Sequence, residues 1–187
     1  MKIISGTLKG RNFYMLAGIR PTQDKIRKAL FDLIGHHLRG ITFLDLFAGS
    51  GAVGLEAVSL GASRVVFVER EERCARVIRE NIETLSLTFH EKGSASLSVV
   101  PQDAFKTVKE FHQKGEKFNF IFIDPPYERQ LGKKTLKTLS AYDILHPNCS
   151  IIIQHDKREI LPETEGRILR VKERKYGSTV LSFYRSA

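Results

Sequence analysis

The chain has 187 residues, of which 42% are hydrophobic and 27% charged, so its length fits one domain and its composition excludes a disordered or membrane-embedded protein. The formal net charge of +9 lies in the flanks: residues 1–40 carry +6, residues 41–154 are neutral and residues 155–187 carry +3. No segment resembles a membrane span or a secretory signal, which predicts a cytoplasmic protein. Cys74 and Cys149 lack disulfide or zinc spacing and are predicted to be packing residues.

The uneven charge suggests a neutral catalytic or ligand-binding body bordered by segments that meet a polyanion. Clustered Lys and Arg side chains commonly neutralise phosphate groups. A solvated surface that only aids solubility explains the charge equally well.

In chain order, the first predicted element is a β-hairpin over residues 1–17, in which KIIS and RNFYML flank the turn-rich GTLKG. A helix is predicted over residues 22–34, with Thr22 suited to the N-cap and Gly35 to the stop. Its apolar residues fall on one helical stripe, formed by Ile26, Ala29, Leu30, Leu33 and Ile34.

Short apolar runs with the length and composition of β-strands then alternate with segments of helical spacing. The runs cover residues 42–47, 64–68, 97–100, 118–123 and 150–153. This alternation predicts an α/β fold with a parallel, doubly wound sheet. The tail, RILRVKERKYGSTVLSFY, is predicted to form two more strands that meet at Tyr176 and Gly177.

A glycine-rich segment, LDLFAGSGAVGLEAVSLGA, follows the first strand of the body. Gly49, Gly51 and Gly54 match G-x-G-x-x-G, and Glu69 ends the next strand. By spacing alone this is a dinucleotide fingerprint, which leaves an NAD-dependent oxidoreductase as one alternative. Asp45 argues against it, because a pyrophosphate would place negative charge close to this carboxylate.

A cation suits the position of Asp45 better, and S-adenosylmethionine offers an ammonium and a sulfonium without phosphate. Glu69 can accept the ribose hydroxyls of either cofactor. Asp103, in PQDAF, is placed to accept from the adenine amine, with the Ala104 backbone nearby. Each acid alone could instead cap a helix. Four successive strands that end in acids, Asp124 being the fourth, favour a shared ligand site.

The fourth strand ends in the motif DPPY. Pro125 and Pro126 have no backbone N–H, so this rigid turn offers acceptors and no donors. The Asp124 carboxylate and the Pro125 carbonyl could receive the two N–H groups of a nucleobase amine and aim its lone pair at a methyl donor. Tyr127 would stack on the base. The alternative is a simple turn with an exposed tyrosine.

Five segments extend this prediction to a family: GIRPTQDKIRKALFDLI, FLDLFAGSGAVGLEAVSLGA, VVFVERE, IFIDPPY and KYGSTVLSFY. In this order, they resemble the bacterial 16S rRNA guanine-N(2) methyltransferases of the RsmD type. The resemblance implies a class I S-adenosylmethionine-dependent methyltransferase, with a Rossmann-like sheet, helices on both faces and a small N-terminal β-hairpin extension. It divides the chain into the extension, residues 1–20, and the methyltransferase domain, residues 21–187.

The resemblance also implies the substrate and the site residues. The substrate would be one guanine of 16S rRNA within an assembled or assembling small ribosomal subunit, modified by a monomer that needs no metal and no membrane. The base would lie against Asp124, Pro125, Pro126 and Tyr127. The residues assigned to the cofactor are Asp45, Phe47, Gly49, Gly51, Glu69, Asp103, Ala104 and Thr22.

The basic N-terminal part, which has no cofactor motif, is predicted to grip RNA. Its candidate contacts are Lys9, Arg11, Arg20, Lys25 and Lys28. Arg20 and Thr22 lie in the segment that the resemblance assigns to either the methionine end of the cofactor or the RNA.

Two departures from the family pattern are Ser5, where glycine is expected, and Gln154-His155, where an acid is common. Neither is expected to touch the chemistry. Other acceptors remain open, namely adenine or cytosine in DNA or a protein glutamine, because related D/N-P-P-Y sites modify them. A non-enzymatic RNA-binding module is a further alternative.

Overall fold

The computed structural model describes residues 1–16, 24–87, 95–126 and 130–187. Within these ranges, one sheet contains eight strands: β1 (Thr42–Leu46), β2 (Arg64–Val68), β3 (Ser96–Val100), β4 (Phe118–Ile123), β5 (Leu145–Asp156), β6 (Thr164–Glu165), β7 (Ile168–Tyr176) and β8 (Thr179–Ser186). The helices in the same ranges are α1 (Asp24–Ile34), α2 (Ala52–Ser59), α3 (Glu72–Thr84), α4 (Ala104–Gln113) and α5 (Leu131–Ala141).

The strand order is β3-β2-β1-β4-β5-β8-β7-β6. Strands β1 to β5 are parallel to one another, whereas β8 pairs with β5, and β7 with β8 and β6, in antiparallel fashion. The strand order reverses at β1, which lies between β2 and β4. In open α/β sheets, ligands bind beyond the carboxyl ends of the strands at such a switch point.

Two apolar layers cover the sheet because successive side chains of each central strand point to opposite faces. In β1, Phe43 belongs to the core formed with α1, α2 and α3, and the next residue, Leu44, to the core formed with α4 and α5. Both side chains are fully buried. The prediction of helices on both faces of the sheet is confirmed.

The predicted strands agree closely with the structure, but β5 is longer than the run 150–153 and the two-residue β6 was not predicted. The tail hairpin is confirmed, with Gly177 in the left-handed conformation at its turn. Helix α1 begins at Asp24; the predicted N-cap, Thr22, lies outside the described residues. Both cysteines are buried, as expected of packing residues.

The predicted N-terminal β-hairpin is not shown: residues 1–16 contain one antiparallel bridge, Lys2–Asn12, and no regular strand. It is fastened to the body by buried polar side chains. The Glu56 carboxylate accepts the backbone N–H groups of Ile4 and Ser5, with N···O distances from 2.5 to 3.2 Å. The segment therefore lies against α2. No helix in the described ranges is long and apolar enough to cross a membrane.

Candidate active site

A cavity of about 540 Å³ opens at the carboxyl ends of β1 to β5, beside the switch point. It contains the predicted acids of four strands, Asp45, Glu69, Asp103 and Asp124. Phe47, Gly49, Ala104, Pro125 and Pro126 also line it. The sequence-based assignment of these residues to one place is therefore consistent with the geometry.

The glycine segment forms a tight turn between β1 and α2. Gly49 and Gly51 have φ angles of 58° and 80°, which favour glycine. Phe47 also has a positive φ, 76°, an uncommon conformation for a bulky residue and one found at functional sites. A Cβ on Gly54 would lie 2.2 Å from the Phe67 ring, so the third glycine permits close contact of α2 with β2.

Asp45 is the penultimate residue of β1, and its side chain is buried. Its Oδ2 accepts the backbone N–H of Gly54 at 2.9 Å, in the first turn of α2. Burial raises the pKa of Asp45 to about 7, the Gly54 N–H opposes this shift, and the negative charges of Asp124 and Glu69 add to it. The ionised carboxylate would therefore be stabilised by a cation in the cavity.

Glu69 follows β2 and is fixed by two backbone donors. Its Oε2 accepts the N–H of Gly49 at 2.8 Å and its Oε1 accepts that of Glu71 at 2.9 Å. The carboxylate thus holds the glycine turn in place from the neighbouring strand. A carboxylate has about four acceptor sites, so these bonds still permit hydroxyl donors.

Asp103 has the helix-capping role that the sequence left open. Its Oδ1 accepts the N–H groups of Phe105 and Lys106, at 2.9 and 3.1 Å, and it is the N-cap of α4. The side chain nevertheless lines the cavity. Capping and an adenine contact are compatible, because both hydrogen bonds use the same oxygen.

Asp124 follows β4 and contacts Gln154, a residue that was not expected to touch the chemistry. The side-chain amide of Gln154, on β5, donates to Asp124 Oδ2 at 3.0 Å, and Gln154 lines the cavity. The expectation that Gln154 lies away from the proposed chemistry is therefore wrong. Parallel pairing explains the contact: Ile123 is in register with Ile153, so the next residues of the two strands are neighbours.

The DPPY turn is described only in part. Pro125 is buried and Pro126 is exposed, and both line the cavity. Tyr127 lies outside the described residues, as do Thr22 and Arg20. Their predicted contacts with the base, the cofactor or RNA remain predictions.

One wall of the cavity is aromatic, and of its two phenylalanines, Phe47 and Phe105, only Phe47 was predicted from the sequence. The ring of Phe105, at the start of α4, meets Phe47 edge to face with 6.1 Å between centroids. The Lys134 ammonium, on α5, lies 4.1 Å from the centroid of the Phe105 ring. Phe105 and Met15 also line the cavity. A phenylalanine just inside a helix carries no sequence signal of its own, which is why Phe105 was missed.

The candidate RNA-binding residues differ in how available they are. Lys9, Lys25 and Lys28 are exposed. The Arg11 guanidinium donates to the carbonyls of Leu85 and Thr84, at 2.8 and 3.3 Å, at the C-terminal end of α3. Arg27, part of the same basic stretch, is fully buried and ion-paired, so it cannot contact RNA.

Within the described part of the chain, no cluster of three or more His, Cys, Asp or Glu is placed to hold a metal ion.

The reversal of strand order and the acid-lined cavity define a doubly wound α/β protein with a candidate ligand site at its switch point. The family model described as "Conserved hypothetical protein 95" matches residues 1–185, and the chain belongs to this family.

Its relatives include "Putative rRNA methyltransferase YlbH" of Bacillus subtilis, 36% identical, with 99% of this chain and 98% of the relative covered. "Ribosomal RNA small subunit methyltransferase D" of Haemophilus influenzae is 30% identical over 100% of this chain and 94% of its own length. A solved structure, "Putative methyltransferase yhhF from Escherichia coli", is 28% identical and superposes with a TM-score of 0.85, covering 100% of this chain and 97% of the other. These likenesses confirm the resemblance at the level of the family and the fold.

Proposed function

We propose that this protein transfers a methyl group from S-adenosylmethionine to the exocyclic N(2) amine of a guanine in 16S rRNA. The observation that carries the proposal is the meeting of Asp45, Glu69 and Asp124 with the Pro125-Pro126 turn in one cavity. The names of the relatives, one an rRNA methyltransferase and one a small-subunit methyltransferase, support the same substrate class.

The residues present fit S-adenosylmethionine. Asp45 is a buried acid with a pKa of about 7 next to two other acids, an environment that a positively charged ligand relieves and a pyrophosphate worsens. Glu69 provides acceptors for ribose hydroxyls at the end of β2. The cavity volume of about 540 Å³ is in the range of small-molecule sites. An NAD-dependent oxidoreductase is therefore disfavoured by the same acid that favours the proposal.

S-adenosylmethionine, when bound, supplies a methyl group on a positively charged sulfur. Asp124 and the Pro125 carbonyl accept the two N–H groups of the guanine amine and orient its lone pair. The Asp124 carboxylate also stabilises the positive charge that develops on the nitrogen as it is methylated. The two prolines keep competing backbone donors out of this turn and fix its shape.

The acceptor lies in RNA of the small ribosomal subunit, and the protein acts as a monomer in the cytoplasm, where subunits are assembled. A guanine within a loop or an unstacked segment costs less to place in such a cavity than a base in a duplex. Exposed Lys9, Lys25 and Lys28 supply phosphate contacts on the N-terminal side.

The test is to incubate the protein with labelled S-adenosylmethionine and small subunits that lack the modification, and to map the labelled nucleotide. Duplex DNA and a release factor, which contains a modifiable glutamine, serve as competing acceptors. We expect label on one guanine N(2) of 16S rRNA only. Label on DNA or on the release factor, together with no label on the rRNA, would contradict the proposal.

Variants of Asp124 connect the activity to the site. Asp124→Ala should lower transfer by about 10²- to 10³-fold while cofactor affinity stays within a few-fold of wild type. Asp124→Asn should keep part of the activity, because its amide oxygen still accepts a hydrogen bond. Near-normal activity of Asp124→Ala would refute the acceptor role.

A further inference from the structure

We propose that Lys172 and Arg174 on β7, together with Arg185 on β8, form a second RNA-contacting surface, called here the β7–β8 basic surface. The inference rests on the proposed function, since it takes small-subunit RNA as the ligand. It extends the RNA contacts beyond the N-terminal part of the chain, and it gives the side from which the RNA reaches the cavity.

Strand pairing places Arg174 on the same face of the sheet as the acceptor carboxylate. Arg174 is in register with Leu181 of β8, and Leu181 is in register with Gln154 of β5. The Gln154 amide in turn contacts the Asp124 carboxylate. Residues opposite each other on neighbouring strands point to the same face. Arg174 is therefore three strands away from Asp124, about 15 Å at the usual strand spacing of about 4.8 Å.

The other two cations of the surface point in the same direction. Lys172 is in register with Phe183, which belongs to the core formed with α1, α2 and α3. Arg185 lies two residues after Phe183 on β8, so its side chain is on the same face. Lys172 is partly exposed, and Arg174 and Arg185 are exposed. Helix α1, which carries two of the predicted RNA contacts, covers the same face of the sheet.

The two faces of the β7–β8 hairpin differ in charge. Glu173, the one acid of these two strands, is in register with Ser182 and points to the opposite face. There its carboxylate lies 3.4 Å from Arg170 Nη1 and 3.7 Å from Lys175 Nζ. Among the described residues, no acid forms an ion pair with the three cations of the β7–β8 basic surface. A surface with cations and no acids is complementary to the phosphate groups of RNA.

The position of the surface also agrees with the division of the cavity. Glu69 and Asp103, assigned to the cofactor, follow β2 and β3 on one side of β1, whereas Asp124 follows β4 on the other side. Strands β5, β8 and β7 continue the sheet beyond β4. RNA that brings a guanine to Asp124 from the side opposite the cofactor therefore passes over the β7–β8 basic surface. Phosphate contacts there position the RNA without reading its bases.

The experiment measures binding of a 16S rRNA transcript, made in vitro, at a series of salt concentrations. It compares wild type with the double variant Lys172→Gln/Arg174→Gln, which removes two charges. We expect the slope of log K against log salt to fall by about two units, and the affinity at 0.1 M salt to fall about 10- to 100-fold. With undermethylated small subunits as substrate, KM for the subunit should rise while kcat and the affinity for S-adenosylmethionine stay unchanged.

The matched control is Lys109→Gln/Lys114→Gln, which removes two charges from exposed positions of α4, on the opposite face of the sheet. It should keep the wild-type slope, and both double variants should unfold at the wild-type urea concentration. A wild-type slope for the β7 variant, or an equal fall in the control, would overturn the inference.

Two further outcomes separate the possible ligands and the two proposals. Tighter binding of wild type to phosphatidylglycerol vesicles than to the transcript, lost in the β7 variant, would assign the surface to a lipid and overturn the inference. A wild-type protein that binds the transcript through this surface but methylates no rRNA would instead refute the proposed function.

Discussion

Arg27 on α1 and Glu56 on α2 form an ion pair in which both side chains are inaccessible to solvent, with Nε and Oε2 3.3 Å apart. Glu56 also accepts the backbone N–H groups of Ile4 and Ser5, and Arg27 donates to the Lys2 carbonyl at 2.6 Å. This pair therefore joins α1, α2 and the N-terminal segment.

Replacing Arg27 by Met should destabilise the protein strongly, because it leaves the Glu56 carboxylate buried without its cation. We expect a loss of about 3–5 kcal/mol in the free energy of unfolding, measured by urea denaturation. Arg79→Met is the matched control, since the Arg79–Glu72 pair is solvent-exposed and should contribute less than about 1 kcal/mol. Equal effects of the two substitutions would contradict the importance assigned to the buried pair.

Cofactor affinity should depend on pH through Asp45. Its pKa of about 7 means that the carboxylate must lose a proton to meet a cation. Affinity for S-adenosylmethionine, measured by calorimetry, should rise up to about tenfold per pH unit below pH 7 and level off above it. Asp45→Asn should bind more weakly at pH 8 and lose this dependence; a variant with the wild-type slope would exclude Asp45 as its source.

The Asp45 carboxyl also makes the stability of the folded protein depend on pH, but in the opposite direction, because stability falls as the pH rises. The pKa of Asp45 is raised from its ordinary 3.8, so between that value and about 7 the folded protein holds a proton that the unfolded chain has released. The stabilising contribution of this proton falls as the pH rises through this window. Asp45→Asn should therefore gain stability relative to wild type as the pH rises from about 4 to about 7, as judged by unfolding midpoints. A constant difference across this window would contradict the shift.

Gly54→Ala should disturb the cavity through packing, because the new methyl group would lie 2.2 Å from the Phe67 ring. We expect a loss of about 1–3 kcal/mol of stability and weaker cofactor binding, since the Gly54 N–H also donates to Asp45. Phe67→Leu makes space, so the double variant should be less impaired than the sum of the single ones. Strict additivity in denaturation and binding would argue against this steric contact.

RNA affinity should fall when Lys28 is reversed to Glu. Each lost phosphate contact should reduce the slope of log K against log salt by roughly one unit. Lys114→Glu is a matched control with the same charge change, at the exposed C-terminal end of α4, away from the cavity mouth. Equal slopes for both variants would mean that Lys28 makes no phosphate contact and only contributes to the solvated surface. Arg11→Glu is less informative, because it also removes hydrogen bonds to the end of α3.

The sequence predicted the central strands well because their apolar runs are bounded by turn residues and acids. The bounds of β2 and β4 agree with the predicted runs at both ends. Two-residue β6 has no periodicity to detect, and the extension of β5 depends on its pairing with β8.

The site was predictable to the extent that its residues end strands. Asp45, Glu69 and Asp124 meet because parallel strands present their carboxyl ends at one edge. The Gln154–Asp124 bond depends on the register of two strands far apart in the sequence, which no local pattern contains. The capping role of Asp103 was weighed and could not be separated from ligand binding by sequence alone.

Asn81, fully buried on α3, accepts the backbone N–H of Tyr14 and donates to the carbonyls of Tyr14 and of Ser50 in the glycine turn. An amide can do this because it carries a donor and an acceptor at one end, which neither Leu nor Asp can reproduce. Through Asn81, the N-terminal segment thus helps to hold the glycine turn in place. A shortened chain that begins after Leu16 would lack the Tyr14 partners of this amide and leave it facing water or a void. The glycine turn would then lose part of its support.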